Sequence, residues 1–451
     1  MLPLYQELLP VALIGQLVRA TGKRFYVRLF SPLVVVWGLI YQRLHSDHSC
    51  DAVVSALESG AMDHLVERPG TAPLSARLRS SSTAGYCQAR QRLPVAVMRG
   101  VLRHTVETVP GWAGEQGRWC GRLVRLLDGS TILLRPEPEL VAHYGQHANG
   151  HGSTYWVLMR VLVSFCLRTG LVTDLAEAPL NRSEQDLSTH LLAQAEAGTL
   201  FVGDSNFGVF SVAQAIRHYQ HDALLRLTLQ RAQSLLGRRP TPGDYAVAWA
   251  PKSSQRDPEM AQQPIAGRLI VECVQPSGFR PFDLCLFTTL REAQQYPAAS
   301  LLELYGWRWQ VELHLRHVKQ TLDLHLINAK SVDMVRKELL AGLVAYNLIR
   351  AFMLKAALQA KIPPLRLSFS ACWRRLREFL LHPHLPSTLP RHTRLARLVA
   401  RLARCLIPPR APGRLEPRAV RGLPRVYPPL KGSRHDARQR LLDQRRRLAA
   451  A

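Results

Sequence analysis

Tyr305, Arg308, Glu312 and Lys319 stand within one short stretch, Tyr305-Gly-Trp-Arg308-Trp-Gln-Val-Glu312-Leu-His-Leu-Arg-His-Val-Lys319. On a helix that turns roughly 100° per residue, with Tyr305 as origin, Arg308 lies at about −60°, Glu312 at about −20° and Lys319 at about −40°. A phenol, two cations and a carboxylate therefore share one stripe, and these are the types that bind phosphates and hard metal ions. Leu304, Trp307, Val311, Leu315, Val318 and Leu322 fall on the neighbouring arc. The pattern predicts one amphipathic helix over residues 300–324, its apolar side packed and its polar stripe facing a site. Taken alone, the stripe is equally an exposed face with Arg308 and Glu312 as an ordinary i,i+4 pair.

Two further acids extend the pattern. Asp128 closes a short apolar run over 122–128 and is followed by Gly129-Ser130-Thr131; Asp204 closes another over 199–204 and is followed by Ser205-Asn206-Phe207. Acids at the ends of neighbouring central strands, faced by a third from a helix, can hold two hard cations through anionic oxygens. Such a pair of ions, roughly 4 Å apart, can clamp the attacking and leaving oxygens of an in-line phosphoryl displacement. Each acid alone is read more simply as part of a turn.

The elements that must position these groups are legible in part. Residues 1–115 read as mostly helical. Within them Ser81–Pro94 forms a helix that presents Arg90 and Arg92, either as a small DNA-binding helix or as a solvated basic one. Strands are expected at 122–128, 155–167, 171–176, 199–204 and 223–227, with helices at 183–196 and 210–219 and a hairpin break at Gly170. That alternation predicts a mixed α/β sheet. Residues 228–290 carry Pro/Gly turns and strands at 245–250, 268–274 and 281–290, a β-rich insertion; 338–359 reads as a long apolar helix.

Composition narrows the partners. A chain of 451 residues has room for two or three domains, and 47% hydrophobic content excludes a disordered one. A formal charge of +26 predicts a polyanionic partner. Residues 361–451 hold 22 Lys/Arg against four acids, a net +18 of that +26, so the end of the chain is a basic arm. Arg391, Arg394, Arg397, Arg401 and Arg404 line one helix face and Leu395, Leu398 and Leu402 another. This is a basic amphipathic helix for DNA phosphates, with a membrane-surface helix or a solvated face as alternatives. Beyond Pro408 the sequence is rich in Pro and Arg. The eight cysteines form no C-x-x-C pair and read as small buried hydrophobes in a reducing compartment. His143, His147 and His151 recur every four residues among glycines and read as a solvated loop rather than a metal site. The apolar runs 1–14 and 29–41 fit neither a secretory signal nor a membrane span; 29–41 is a core helix or strand, and the chain is expected in the cytoplasm, associated with the nucleoid.

These residues together resemble a bacterial insertion-sequence transposase of the DDE type, in the fourth insertion-sequence family. Its Y-x(2)-R-x(3)-E-x(6)-K signature is matched by Tyr305, Arg308, Glu312 and Lys319; its first acid context by Asp128-Gly129-Ser130; its second by Gly203-Asp204-Ser-Asn-Phe207 with Ser211. The 81–94 segment is similar to the family's basic N-terminal helix, Ala345-Tyr346-Asn347-Leu348-Ile349-Arg350 to the helix after the signature, and Glu416-Pro417-Arg418 through Tyr427-Pro428 to a tail common in the family. The resemblance implies a helical DNA-binding domain over 1–115 and an RNase H-like mixed-sheet core over 116–227 and 291–360. A β-rich insertion would occupy 228–290 and a basic region 361–451. It implies Asp128, Asp204 and Glu312 as catalytic ligands of two Mg²⁺ ions, for which Mn²⁺ can substitute, and Tyr305, Arg308 and Lys319 as contacts to DNA. The activity it implies is cut-and-paste transposition by end hydrolysis and attack of the freed 3′-hydroxyl. The partners would be double-stranded DNA at terminal inverted repeats and target sites, engaged by a homodimer. The other readings are a catalytically inactive transposase acting as a sequence-specific DNA-binding protein and a related metal nuclease that cuts but does not join. In the family a flipped base can stack on a tryptophan of the insertion; Trp249 and Phe282 are the nearest aromatics here, and ordinary packing is the favoured reading of both.

Overall fold

The computed structural model describes residues 8–25, 28–65, 70–149, 152–251, 263–275, 281–381 and 390–408, with scattered positions between 436 and 447. Contacts gather the chain into two units. One comprises Met1–Cys273 and Asp283–Pro409; the other comprises Val274–Phe282 and Arg410–Ala451. The described positions 436–447 of the second unit are helical. The tail motif at 416–428 lies outside the described residues, as does His151.

In the first unit, helices α1 (Val11–Ala20), α2 (Pro32–Leu44), α3 (Cys50–Glu58), α4 (Leu74–Arg77), α5 (Ala84–Arg92) and α6 (Val95–Ala113) open the chain. Ser31 starts α2 by accepting from the Val34 backbone N–H, and Pro32 sits in the first turn, where no N–H is needed. Almost every residue of α2 from Leu33 to Leu44 is buried, which is why the 29–41 run shows no polar stripe.

The sheet follows: β1 (Val124–Leu134), α7 (Pro138–Tyr144), β2 (Gln146–Asn149), β3 (Gly152–Cys166), β4 (Val172–Pro179), α8 (Glu184–Ala193), β5 (Leu200–Gly203), α9 (Phe210–His218) and β6 (Asp222–Leu227). β3 pairs antiparallel with both β1 and β4, while β1, β5 and β6 run parallel. The order β4-β3-β1-β5-β6, with only its second member reversed, is the RNase H-like arrangement. Gly170, at φ +71°, makes the turn between β3 and β4. Ser183 and Asp186 cap α8 reciprocally.

Asp128 departs from expectation. It does not end a strand: β1 runs on to Leu134 and Asp128 faces Val163 in the middle of the β1–β3 ladder. Ile132 and Leu134 are buried and carry the strand past Gly129, whose backbone is not in the left-handed region.

The insertion supplies α10 (Leu229–Leu236), a helix the sequence pattern did not signal, then β7 (Gly243–Trp249), β8 (Ile265–Val274) and β9 (Phe282–Thr288). β9 pairs antiparallel with β6, and β8 and β7 follow outward, so the insertion prolongs the central sheet. Leu269, Val271, Cys285 and Phe287 share one core with Phe201, Phe207 and Phe210. Arg268 is buried, pairs with Asp244 and donates to the Tyr296 carbonyl at 2.7 Å, tying the insertion to the chain that leaves it.

The single helix expected over 300–324 is broken into four pieces. α11 (Ala298–Gly306) ends at a glycine, a tight turn spans Trp307–Trp309, α12 (Gln310–Arg316) follows, and His317–Thr321 forms a π turn. Leu304, Val311, Leu315, Val318 and Leu322 remain buried across the breaks and Trp307 is half-buried, which is why sequence periodicity passed over the breaks. β10 (Leu326–Ile327) then pairs parallel with β1 at Leu133. α13 (Val332–Gln359) is long and apolar enough to cross a membrane, and 94% of its apolar window is buried inside the protein. It packs against α2, α6 and α15 (Arg391–Ala403), the last following α14 (Phe369–Leu381).

Candidate active site

β1 and β5 are parallel neighbours in register at Leu126 and Val202. Two residues farther along, Asp128 stands within β1 and Asp204 just past the end of β5, at the same level across strands roughly 4.8 Å apart. The Asp128 Oδ1 accepts the Gly129 N–H at 3.0 Å, and the Asp204 Oδ1 accepts the Asn206 N–H at 2.9 Å. Gly203 lets Phe207 close behind Asp204: a Cβ there would meet the Phe207 Cβ at 2.8 Å.

Glu312 and Lys319 approach Asp128 from the signature segment. Together with Leu315, Arg316 and His325 they line a cavity of about 610 Å³ with Asp128. Lys319 donates to the Ser130 Oγ at 2.9 Å, and Arg308 donates to Glu312 at 3.1 Å. The Arg308 guanidinium also lies 6.0 Å from the centre of the Tyr305 ring. Below, the segment is anchored through the buried Arg350: its Nη2 stands 2.8 Å from the His314 Nδ1, and its Nε donates to the Tyr346 hydroxyl at 2.8 Å. The Tyr346 hydroxyl donates in turn to the Gly170 carbonyl at 2.9 Å. His317 stacks on Phe369 at 4.4 Å. His314 did not stand out in the sequence, since it touches the stripe only through the packed side, and Arg350 was legible only as part of the helix after the signature.

The electrostatics are those of crowded acids. Burial pushes the Asp128 carboxyl up to about 6; Arg308 pulls it down, and the charges of Asp204 and Glu184 push it further up. Burial also raises Glu184 and Tyr305 and lowers Lys319. It opposes the charge of Arg308, but Tyr305, Glu312 and Asp204 outweigh it and raise that group. A carboxyl raised by burial and by the negative charges beside it, with oxygen donors alone around it, fits a hard divalent cation. The set is not yet closed: among the described residues no three His, Cys, Asp or Glu side chains stand together at metal-binding spacing, and Glu312 is held on Arg308.

The remaining candidates lie elsewhere. Arg90 is buried, donates to Gln42 at 2.8 Å and pairs at 3.2 Å with Glu338 of α13, which also pairs with Arg43. Its expected place on DNA is therefore corrected: its charge is spent inside the protein. Arg92 is exposed. Trp249 packs edge-on against Phe287 and Phe210, centroids 4.8 and 6.0 Å away; Phe282 is 40% exposed. On α15 Arg397 and Arg401 are exposed, Leu398 and Leu402 are buried, and Arg404 just beyond the helix is exposed. His143 ends in α7 and His147 in β2. All eight cysteines are unpaired thiols.

Sheet order and acid placement together define an RNase H-like protein. Residues 119–348 match the family model described as Transposase DDE domain, and the chain belongs to that family. It is 26% identical over 412 residues to Transposase InsG for insertion sequence element IS4 of Escherichia coli (strain K12), covering 88% of this chain and 86% of that one. It is also 36% identical over 63 residues to Putative transposase y4zB of Sinorhizobium fredii (strain NBRC 101917 / NGR234), 14% of this chain and 18% of that one. Among solved structures, a cryo-EM structure of piggyBac transposase synaptic complex with hairpin DNA aligns at a TM-score of 0.42 and 10% identity, covering 91% of this chain and 86% of that one. The expectation of a DDE transposase of the fourth insertion-sequence family holds.

Proposed function

We propose that this protein moves an insertion sequence by cut-and-paste transposition, with Asp128, Asp204 and Glu312 holding two Mg²⁺ ions. The observation that carries the reading is the level placement of Asp128 in β1 and Asp204 just past its parallel neighbour β5, with Glu312 lining a cavity beside Asp128. Bound there, the ions would activate a water or a 3′-hydroxyl and stabilise the leaving oxygen. The chain's own groups do the rest. Lys319 and Arg308 supply positive charge beside the acids and would hold the scissile strand by its phosphates. Tyr305 packs under Arg308 and limits its swing. For Glu312 to join the acids, a DNA phosphate would take its place on Arg308, so binding of the element's end would also complete the site.

Around this centre we retain the division into a helical domain over 1–115, a core over 116–227 and 291–360, an insertion over 228–290 and a basic region over 361–451. Exposed Arg92, Arg397, Arg401 and Arg404 would meet DNA backbone. The InsG name specifies an insertion sequence element, and by that likeness the DNA here would be an element's terminal repeats and a target, held by a homodimer at the nucleoid. The test is cleavage of labelled DNA carrying the flanking inverted repeat, with and without Mg²⁺, by wild type and Glu312→Gln. Metal-dependent cutting at the repeat's end, lost in the variant with binding retained, is the expected result. Specific binding without cutting by the wild type would refute it and favour a DNA-binding protein without chemistry.

A further inference from the structure

We propose that the cavity between α6, α8 and the start of β1 binds a small organic carboxylate with an apolar body, anchored on the guanidinium of Arg125. The cavity holds about 1060 Å³, ample for a small molecule. None of the residues lining it belongs to the acid site.

Arg125 stands in a central strand, with Cys166 of β3 facing it on one side and Phe201 of β5 on the other. Side chains alternate across a strand, and Leu127, two residues on, packs with Leu187 and Leu191 of α8. Arg125 therefore projects toward α8 and away from Asp128. It is 8% exposed and lines the cavity, yet among the described residues its guanidinium has no hydrogen bond or ion pair. The other buried arginines are all engaged: Arg43 and Arg90 with Glu338, Arg268 with Asp244, and Arg350 with His314 and Tyr346. A buried cation without hydrogen-bond acceptors is costly.

The nearby acids do not supply them. Burial lowers the Arg125 pKa by more than Cys166, Asp174 and Glu196 raise it. Asp174 accepts the Leu175 N–H at 2.8 Å and is shared with His190 and Arg99. Glu196 is exposed and pairs with Arg118 at 3.6 Å. The open fork of a guanidinium matches the two oxygens of a carboxylate. Asp174 and Glu196 would repel a doubly charged phosphate more than a singly charged ligand. Leu102, Val106, Pro110, Leu123 and Val124 line other parts of the cavity and suit an apolar body. α6 and α8 meet at exposed positions, Arg99 with His190 at 3.4 Å and Arg103 with Gln194 at 3.3 Å, long contacts that can part to admit a ligand.

The probes are octanoate, its neutral counterpart octanamide and inorganic phosphate, each titrated calorimetrically into the full-length chain without DNA at low chloride. Wild type, Arg125→Met and Ala193→Trp are compared, and each variant's ligand-free melting midpoint is recorded. Ala193 is exposed and lines the cavity, so a tryptophan there fills the space with Arg125 intact. Wild type should bind octanoate at least roughly tenfold more tightly than octanamide or phosphate, and Arg125→Met should lose about that factor, as loss of a charged hydrogen-bond partner does. Ala193→Trp should weaken octanoate similarly at an unchanged midpoint. Should Arg125→Met melt lower, Ala193→Trp alone decides. No octanoate binding by wild type, binding equalled by octanamide or phosphate, or full binding by either variant would overturn the proposal.

Discussion

Replacing Asp128 with asparagine should make the metal-free protein more stable. The carboxyl titrates at about 6 in the fold against 3.8 for the free side chain, chiefly because it is buried. A difference of about two units at 1.36 kcal/mol each is worth about 3 kcal/mol. Because folding raises this pKa, the folded chain holds the proton more tightly than the unfolded one. The group's contribution therefore favours folding below pH 3.8 and is lost as the pH rises through 6. Asparagine keeps the shape, can still accept from the Gly129 N–H, and never ionises. Relative to wild type, Asp128→Asn should thus be level near pH 3.8 and gain about 3 kcal/mol above pH 6. Urea unfolding in EDTA at both ends of that range measures it. Added Mn²⁺ should narrow the gap by stabilising the wild type alone. An asparagine variant that gains nothing between acid and neutral pH would refute the claim that this carboxylate is held at a cost.

Other perturbations probe other parts of the molecule. Glu338→Gln strips the counter-charge from buried Arg43 and Arg90 and should cost about 3–5 kcal/mol in urea unfolding, as breaking a buried ion pair does; a loss under about 1 kcal/mol would show those guanidinium groups are satisfied otherwise. Arg397→Ala with Arg401→Ala, on the exposed side of α15, should lower the slope of log affinity for DNA against log salt by about two, with little change in cutting at low salt. An unchanged slope would remove α15 from the DNA.

How far the sequence revealed this depended on the range of the interaction. The signature stripe and both aspartates were legible because each is a local pattern of residue types. The breaks at Trp307 and His317 were not, since Leu304, Val311, Leu315, Val318 and Leu322 are buried on the spacing that an unbroken helix would also give. Arg90 misled for the same reason: a basic helix looks alike whether its arginine meets a phosphate or a carboxylate 248 residues away. The nearness of Glu184 to β1 was hidden because only the pairing of β1 with the elements around it brings residue 129 beneath α8. The union of the insertion with the core sheet likewise depends on β9 returning to β6, a long-range pairing that no local pattern announces.

That union bears on attempts to trim the protein. A minimal version lacking residues 228–290 would look like a tidy excision of a module. It would instead uncover β6, five of whose six residues are buried, along the side now paired with β9. A bare apolar strand is a template for another copy of itself, so such a truncated chain should come out of solution as aggregates. Shortening confined to the stretch between β7 and β8 would leave every strand of the sheet with its neighbour.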